Sequence, residues 1–415
     1  MGNEQDTVKD LDDILDGFGS DDDVRMASAE ETQSHDIEVE GTSLKFESEI
    51  LLKRLGPLND VIRRDAIDIV NKSVFLSHEA DKVCFRAKPG ESFVQIIVPI
   101  SGEVTEKTED FFLEFKPLFA LMKESEKTFV FVDEAGVPVI RLYKGSVRFE
   151  NYRLDPKRFE HPSFSSGLSE ENGYTKVEGA SFFKFLQTAY KSMELSTRTE
   201  DRKINVIDGV SYSGFLSSAV VIKNIPLDLS LRSEDVYFLM RFLQGVEEFF
   251  FRETDTEYLF ATEWSRVVLP RVKQTDLSKL IESLDRTLKK EKIVLYPPNL
   301  HQVVKTSLFL LGAESLVNLI NDAGRLSLQG KNYSGRFVNF LLSEESDFHN
   351  KFSVVCLLPI LKTVSEMLLA KKLALEKTSG DDETPEEKLL LFIGEKGQML
   401  FQFDDTKVYL AGKIK

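Results

Sequence analysis

The chain has 415 residues, of which 42% are hydrophobic, and it carries a formal net charge of −16. This length accommodates about three domains of roughly 100–150 residues, each able to bury its own core. The acidic balance excludes a surface that is basic throughout, although a local basic lining can still bind nucleic acid inside an acidic shell.

The chain begins with an acidic, polar segment, residues 1–42. Because this composition buries too little apolar surface to offset the entropy of ordering, we predict a disordered acidic tail. Within it, the apolar residues of LDDILDGF (Leu11, Ile14, Leu15 and Phe18) are spaced as on one face of a helix. The segment is either a solvated tail with incidental apolar residues or a motif that docks in a groove.

After the tail, an apolar strand that runs directly into a helix recurs three times, at a spacing of roughly 120 residues. The three copies are Phe111–Ser125, Leu227–Gly245 and Phe352–Leu369. Each helix has a residue suited to a first turn, namely Pro117, Ser233 or Pro359. Another amphipathic helix lies upstream of each copy, over Ser48–Leu58, Ala180–Met193 and Pro298–Gly312. The chain is therefore a threefold pseudo-repeat.

The repeat predicts three domains at residues 43–164, 174–277 and 293–415. A linker rich in Ser, Gly and charge, residues 165–173, separates the first two. A helical connector, residues 278–292, precedes the third, and an acidic insertion, residues 376–388, forms an exposed loop within it. Each domain is predicted to hold two helices and roughly eight strands with alternating apolar residues. This is an α+β class in which helices pack on one face of an antiparallel sheet.

This organisation resembles the bacterial β-clamp type of DNA polymerase processivity sliding clamp, here in a divergent form, such as one from a bacteriophage. The most specific stretch is ASFFKFLQTAYKSMELSTRTEDRKINVIDGVSY in the second domain. SVRFENYRLDPKRFEHPSF and KVYLAGKIK are similar to the first interdomain crossover and the C-terminal strand of the family. The resemblance implies the DNA clamp fold, with helices lining the inner face and antiparallel sheets outside. It also implies a homodimeric ring around double-stranded DNA that tethers a DNA polymerase and a clamp loader. The polar loop beside the family's partner pocket is not recognisable here.

A clamp holds DNA topologically, so it needs only a modest basic lining that slides over phosphates without reading bases. The repeat helices supply nine candidate DNA-facing residues: Lys53, Arg54, Lys116, Lys123, Lys184, Lys191, Arg241, Lys305 and Lys362. The alternative is that any surface helix in a chain with 53 Lys and Arg would carry such residues.

The resemblance also implies a peptide-binding pocket between the second and third domains, near the C-terminal strand. We expect this pocket to be lined by Tyr212, Val268, Leu277, Leu410 and Ile414, although ordinary core packing is the alternative for each.

Motifs of catalysis are missing from the sequence. It contains no GxxxxGK[ST] phosphate loop, and its five His residues show no metal-ligand spacing. Cys84 and Cys356 lie in apolar strands and are expected to be buried, reduced thiols. We therefore expect no metal or cofactor and no enzyme activity. No apolar run is long enough for a bilayer and no signal peptide is present, so a cytoplasmic location is expected.

Two alternatives to a DNA clamp remain at the level of sequence. One is a scaffold or transcription or assembly factor that keeps the clamp fold without encircling DNA. The other is a three-domain enzyme, such as a hydrolase, with sites at its domain interfaces.

Overall fold

The computed structural model describes residues 42–414, except for 63–65, 80, 102–109, 125–127, 135–136, 143–144, 151, 153, 166, 197–201, 216–217 and 377–387. The predicted acidic tail with its LDDILDGF segment, and nearly all of the predicted insertion at 376–388, therefore lie outside the described residues.

Each domain repeats one order of elements: an opening strand, a helix, four strands, a second helix and three strands, to which domain 3 adds a short final strand. Domain 1 contains β1 (Thr42–Glu47), α1 (Ser48–Val61), β2 (Ser73–Glu79), β3 (Lys82–Ala87), β4 (Phe93–Pro99), β5 (Phe111–Glu114), α2 (Phe115–Glu124), β6 (Thr128–Glu134), β7 (Val137–Leu142) and β8 (Gly145–Arg148). A single helical turn, Ile69–Lys72, precedes β2.

Domain 2 follows a crossover that contains three short turns of helix, Pro156–Phe159, Pro162–Ser165 and Glu170–Asn172. It contains β9 (Thr175–Glu178), α3 (Gly179–Met193), β10 (Lys203–Ile207), β11 (Val210–Phe215), β12 (Ser218–Ile222), β13 (Leu229–Arg232), α4 (Ser233–Leu243), β14 (Glu248–Glu253), β15 (Glu257–Ala261) and β16 (Ser265–Pro270).

Domain 3 follows the connector helix α5 (Ser278–Thr287). It contains β17 (Leu288–Leu295), α6 (Pro297–Leu311), β18 (Leu316–Asp322), β19 (Arg325–Lys331), β20 (Phe337–Ser343), β21 (Phe352–Leu357), α7 (Leu358–Glu376), β22 (Leu389–Gly394), β23 (Met399–Phe403), β24 (Thr406–Leu410) and β25 (Lys413–Ile414). The connector predicted as helix over 278–292 is thus helical only to Thr287, because Leu288–Lys292 begin β17 and pair with β22.

The sheets run through the domain boundaries. A four-stranded sheet A (β1-β6-β7-β8) and a five-stranded sheet D (β20-β19-β18-β21-β25) belong to domains 1 and 3 alone. The eight-stranded sheet B joins domains 1 and 2 through the antiparallel pair β4–β16. The eight-stranded sheet C joins domains 2 and 3 through β12–β24. At each joint the third strand after a domain's first helix therefore pairs with the third strand after the second helix of the next domain.

The six domain helices form one continuous row in the order α2, α1, α4, α3, α7, α6. The first helix of one domain contacts the second helix of the next, as α1 contacts α4 and α3 contacts α7. Their apolar faces and the facing residues of the four sheets share one buried core. Alternate residues of the strands point to the opposite face, which we call the far side because it lies away from the helices.

Candidate nucleic-acid and partner-binding surfaces

The helix row is the basic part of an acidic chain. Its six helices contain eleven Lys and Arg against seven Asp and Glu, a net charge of +4. Since the whole chain carries −16, the residues outside these helices carry −20. The separation of charge follows from the fold, because each helix buries its apolar face on a sheet and leaves its polar face to solvent.

Four of the nine candidate DNA-facing residues have no ion pair within the described part of the chain. They are Lys53 on α1, Lys184 and Lys191 on α3, and Lys305 on α6. Lys184 and Lys191 face a depression of about 370 Å³ between α3 and α7. Because a lysine without a carboxylate partner keeps its charge available for an anion such as a phosphate, these four are the candidates whose charge the protein itself does not neutralise.

The other five candidates contact the protein itself. Lys362 lies 3.7 Å from Glu366 one turn along α7, and the ammonium of Lys123 lies 5.2 Å from the ring centre of Phe119. Lys116 donates to the backbone carbonyl of Asn59, and burial lowers its pKa.

Arg54 and Arg241 hold the joint between domains 1 and 2. Arg54 donates to the carbonyl of Ile97 at 2.6 Å and lies over the Trp264 ring, and burial lowers its pKa. Arg241 of α4 donates through Nε to Asp60 of α1 at 2.6 Å. These two guanidinium groups therefore have a structural role between helices and strands that are far apart in sequence.

One helix cation that sequence analysis omitted is Lys371 on α7. Its side chain is nearly buried and is ion-paired with Asp404 at 3.0 Å and with Asp405. Lys371 is nine residues from Lys362 and therefore lies on the opposite side of the helix, so spacing could not have indicated it, and its pairing with the β23–β24 turn depends on the fold.

Domain 3 has exposed apolar side chains on the helix and strand through which domains 1 and 2 each contact the next domain. Phe309, near the end of α6, is 85% exposed, and Phe337 and Leu341 on the edge strand β20 are 61% and 48% exposed. The opposite end of the described chain is the edge strand β8 and helix α2 of domain 1. These two ends lack the strand and helix neighbours that each intrachain joint supplies.

The far side of the domain 2–3 joint is covered by the connector helix α5. Its residues Ile281 and Leu284 pack on a separate apolar cluster, which we call the far-side cluster: Val210, Tyr212, Ala219, Val221, Ile281, Leu284, Leu288, Phe392, Leu400 and Tyr409. A cavity of about 80 Å³ remains between α5 and the ends of β12, β23 and β24. Beside it lies a shallower depression of about 650 Å³ with a basic lining.

The structure brings three of the five predicted pocket residues to this joint. Tyr212 belongs to the far-side cluster, Leu277 immediately precedes α5, and Leu410 lines the cavity. Val268 lies instead on sheet B, in a cluster beneath Phe164 at the domain 1–2 joint. The backbone of Ile414 pairs with Val354 in sheet D, and its side chain is outside the described residues.

The described residues contain no group of three or more His, Cys, Asp and Glu side chains placed to hold a metal ion. Cys84 and Cys356 are buried free thiols, and burial raises their pKa values to about 11 and about 12. No helix in the described ranges has the length and apolar character needed to cross a membrane.

Comparison with known proteins finds no matching family model and no curated protein that matches in sequence. Solved structures match over most of the chain. The DNA polymerase III subunit beta of Pseudomonas aeruginosa superposes with a TM-score of 0.70 at 12% identity, covering 89% of this chain and 99% of that one. The Thermotoga maritima beta subunit gives 0.68 at 10% identity, and Caulobacter crescentus pol III beta gives 0.68 at 12%, with the same coverages. The chain therefore has the fold of the bacterial β sliding clamps, in a divergent form, as its sequence pattern predicted.

Proposed function

We propose that this chain is a DNA sliding clamp, a non-enzymatic processivity factor that closes as a homodimeric ring around double-stranded DNA. The observation that carries the proposal is the construction of the two intrachain joints. Each joint combines a strand pair, β4–β16 or β12–β24, with a helix pair, α1–α4 or α3–α7.

The same pairing of strands and helices leaves one strand and one helix without a partner at each end of the described chain. Domain 3 offers β20 and α6, and domain 1 offers β8 and α2. Two copies joined head to tail would pair β20 with β8 and α6 with α2 twice, which closes six domains into a ring. Such closure would cover the edge strands and the exposed apolar residues at the end of domain 3.

The charge distribution supports DNA inside the ring. The helix row carries +4 while the rest of the chain carries −20, so a duplex would be attracted to the helices and repelled elsewhere. Contacts between Lys side chains and phosphates are independent of base sequence, which allows the ring to slide. A cytoplasmic DNA polymerase and clamp loader would be tethered between domains 2 and 3, at the surface of the far-side cluster that α5 covers, which we call the far-side groove.

The test is retention on DNA together with the oligomeric state. We expect a dimer that stays on nicked circular DNA and is lost when the circle is linearised. Replacing Lys53, Lys184 and Lys305 by Glu should reduce retention without dissociating the dimer. The matched control replaces three exposed lysines outside the helices, Lys45, Lys331 and Lys388, and should retain DNA. Equal retention on linear and circular DNA would refute encirclement.

A clamp-fold interaction scaffold is the second candidate. The observation that favours it is the presence of exposed carboxylates on the helix row, such as Glu49, Glu124 and Glu234, which weaken attraction to phosphates. A folded dimer with no retention on circular DNA, even with a loader present, would select this function.

A further inference from the structure

Helix α5 lies where a partner peptide would bind under the proposed function, on which this inference rests. The helix is held loosely. Ile281 is its one buried residue, Leu284 is half-buried, and Leu280 is 46% exposed. The cavity of about 80 Å³ beneath it shows that its side chains do not fill the space above the sheet. An apolar cavity of ~150 Å³ holds a benzene ring, so this space admits only one small side chain while α5 stays in place.

One carboxylate fixes the helix to the sheet. Asp285 accepts a hydrogen bond of 2.6 Å from the hydroxyl of Tyr409 and another of 3.3 Å from the ammonium of Lys407, both on β24. Glu282 and Arg286 of α5 pair with each other on its exposed surface and do not contact the sheet through this pair. The attachment of α5 therefore consists of one small apolar contact and one charge-assisted latch.

The surroundings of the latch favour an acidic ligand. Between Leu288 and Lys292 the strand β17 bulges away from β22, so Lys289, Lys290 and Glu291 protrude beside the cavity. Together with Arg286 and Lys396 they line the basic depression, which also contains Glu395. Four cations against two carboxylates form a locally basic surface in a chain of net charge −16.

We propose that α5 is a resident ligand of the far-side groove, and that a partner displaces it with a linear peptide that combines apolar side chains with a carboxylate. The apolar side chains would replace Ile281 and Leu284 on the far-side cluster, and the carboxylate would replace Asp285 between Tyr409 and Lys407. Because a peptide must compete with α5 for the groove, only a peptide that supplies both the apolar side chains and the carboxylate binds.

The experiment uses the full chain and a fluorescein-labelled peptide with the sequence of residues 279–288, KLIESLDRTL, which presents the contacts of α5 in trans. The change Asp285→Asn removes the latch carboxylate but leaves Tyr409 and Lys407 to receive that of the peptide. We expect anisotropy titrations to show roughly tenfold tighter binding to D285N than to the unaltered chain, since a charged hydrogen bond contributes about 1.5–3 kcal/mol. The matched control, Glu282→Gln, removes a charge from the same helix without touching the latch and should bind like the unaltered chain.

Two further measurements decide whether α5 is a displaceable ligand or a permanently bound part of the fold. A second peptide, identical except for Asn in place of Asp, should not bind D285N more tightly than it binds the unaltered chain. The variant Tyr409→Phe, which lacks the hydroxyl that receives the carboxylate, should likewise show no tighter binding of the first peptide. Equal binding of both peptides to all variants would overturn the proposal. Retention on circular DNA is measured on the same D285N protein. If retention persists while the peptide fails to bind, the inference fails alone; if the peptide binds but retention is absent, the proposed function fails alone.

Discussion

Asp235 is a carboxylate that the fold buries at the start of a helix. It is 6% exposed in the first turn of α4, where it accepts a hydrogen bond from the backbone N–H of Arg232. Burial is the main cause that raises its pKa from 3.8 to about 6, against the opposing effect of this hydrogen bond. The native state therefore binds a proton more tightly than the unfolded state does, and stability falls as the pH rises from about 4 through about 6.

We expect Asp235→Asn to remove this pH dependence. A raised pKa of this size corresponds to at most about 3 kcal/mol of lost stability above pH 6, at 1.36 kcal/mol per unit. Asn keeps an acceptor for the Arg232 N–H but has no charge to bury. The variant should thus gain free energy of unfolding at pH 8 and lose that advantage near pH 4. Urea denaturation across this range measures the difference. Asp155→Asn, at an exposed cap, is the control; an equal gain at pH 4 and pH 8 would contradict the explanation.

The beginning of helix α3 depends on a close approach between two elements of domain 2. The backbone N–H of Gly179 donates to the carbonyl of Glu247 at 2.6 Å. A Cβ atom at position 179 would lie 2.1 Å from the carbonyl oxygen of Val246, which belongs to the backbone before β14 and cannot rotate away. Glycine at this position therefore allows the beginning of α3 to lie against the backbone that leads into β14.

Gly179→Ala should destabilise the protein by about 1–3 kcal/mol, as overpacking usually does. Gly167→Ala is the matched control, because a Cβ atom there meets only a side-chain nitrogen of Asn172 at 3.5 Å. Denaturant unfolding of the two variants gives the comparison. If both substitutions have the same effect, the close contact does not limit the position of α3.

The elements were more predictable than their contacts. The three strand–helix junctions follow from local apolar pattern, and the helices begin at Phe115, Ser233 and Leu358, each within one residue of the predicted start. The charged residues Lys289–Lys292 were predicted as helix because local sequence does not show that they extend a sheet edge. The ion pair between Asp60 and Arg241 joins residues 181 positions apart, so no spacing rule could have found it. The position of Val268 at the first joint is likewise a consequence of strand pairing.

At the scale of the whole molecule, equivalent helix positions predict how two copies would meet. Counted from the buried residues of the first helices, Phe309 of α6 corresponds to Asp60 of α1 and Lys191 of α3. Asp60 contacts Arg241 across the first joint, and Lys123 is the residue of α2 equivalent to Arg241. In the proposed dimer, Phe309 would therefore pack against α2 of the second copy, near Lys123 and Phe119.

Phe309→Asp should weaken the dimer by at least about 2 kcal/mol, or roughly thirtyfold, because it places a carboxylate in an apolar contact. The monomer should keep its melting temperature, since Phe309 is 85% exposed before association. Sedimentation equilibrium measures the dissociation constant. The control, Ile67→Asp, alters a fully exposed apolar residue of domain 1 that belongs to neither β8 nor α2. A dimer unaffected by Phe309→Asp would place the subunit contact elsewhere.

The passage of sheets B and C through two domain boundaries has a mechanical consequence. Neighbouring domains share a hydrogen-bonded ladder of four residue pairs at β4–β16 and of five at β12–β24, each backed by a helix pair and a covalent crossover. A force applied across either boundary would load all of these bonds together in shear. In the proposed ring, the contact between copies would have no covalent crossover, so it would yield before either boundary within the chain. Under the proposed function, DNA would therefore enter between the subunits, while residues 42–414 would move as a stiff unit with little bending at their domain boundaries.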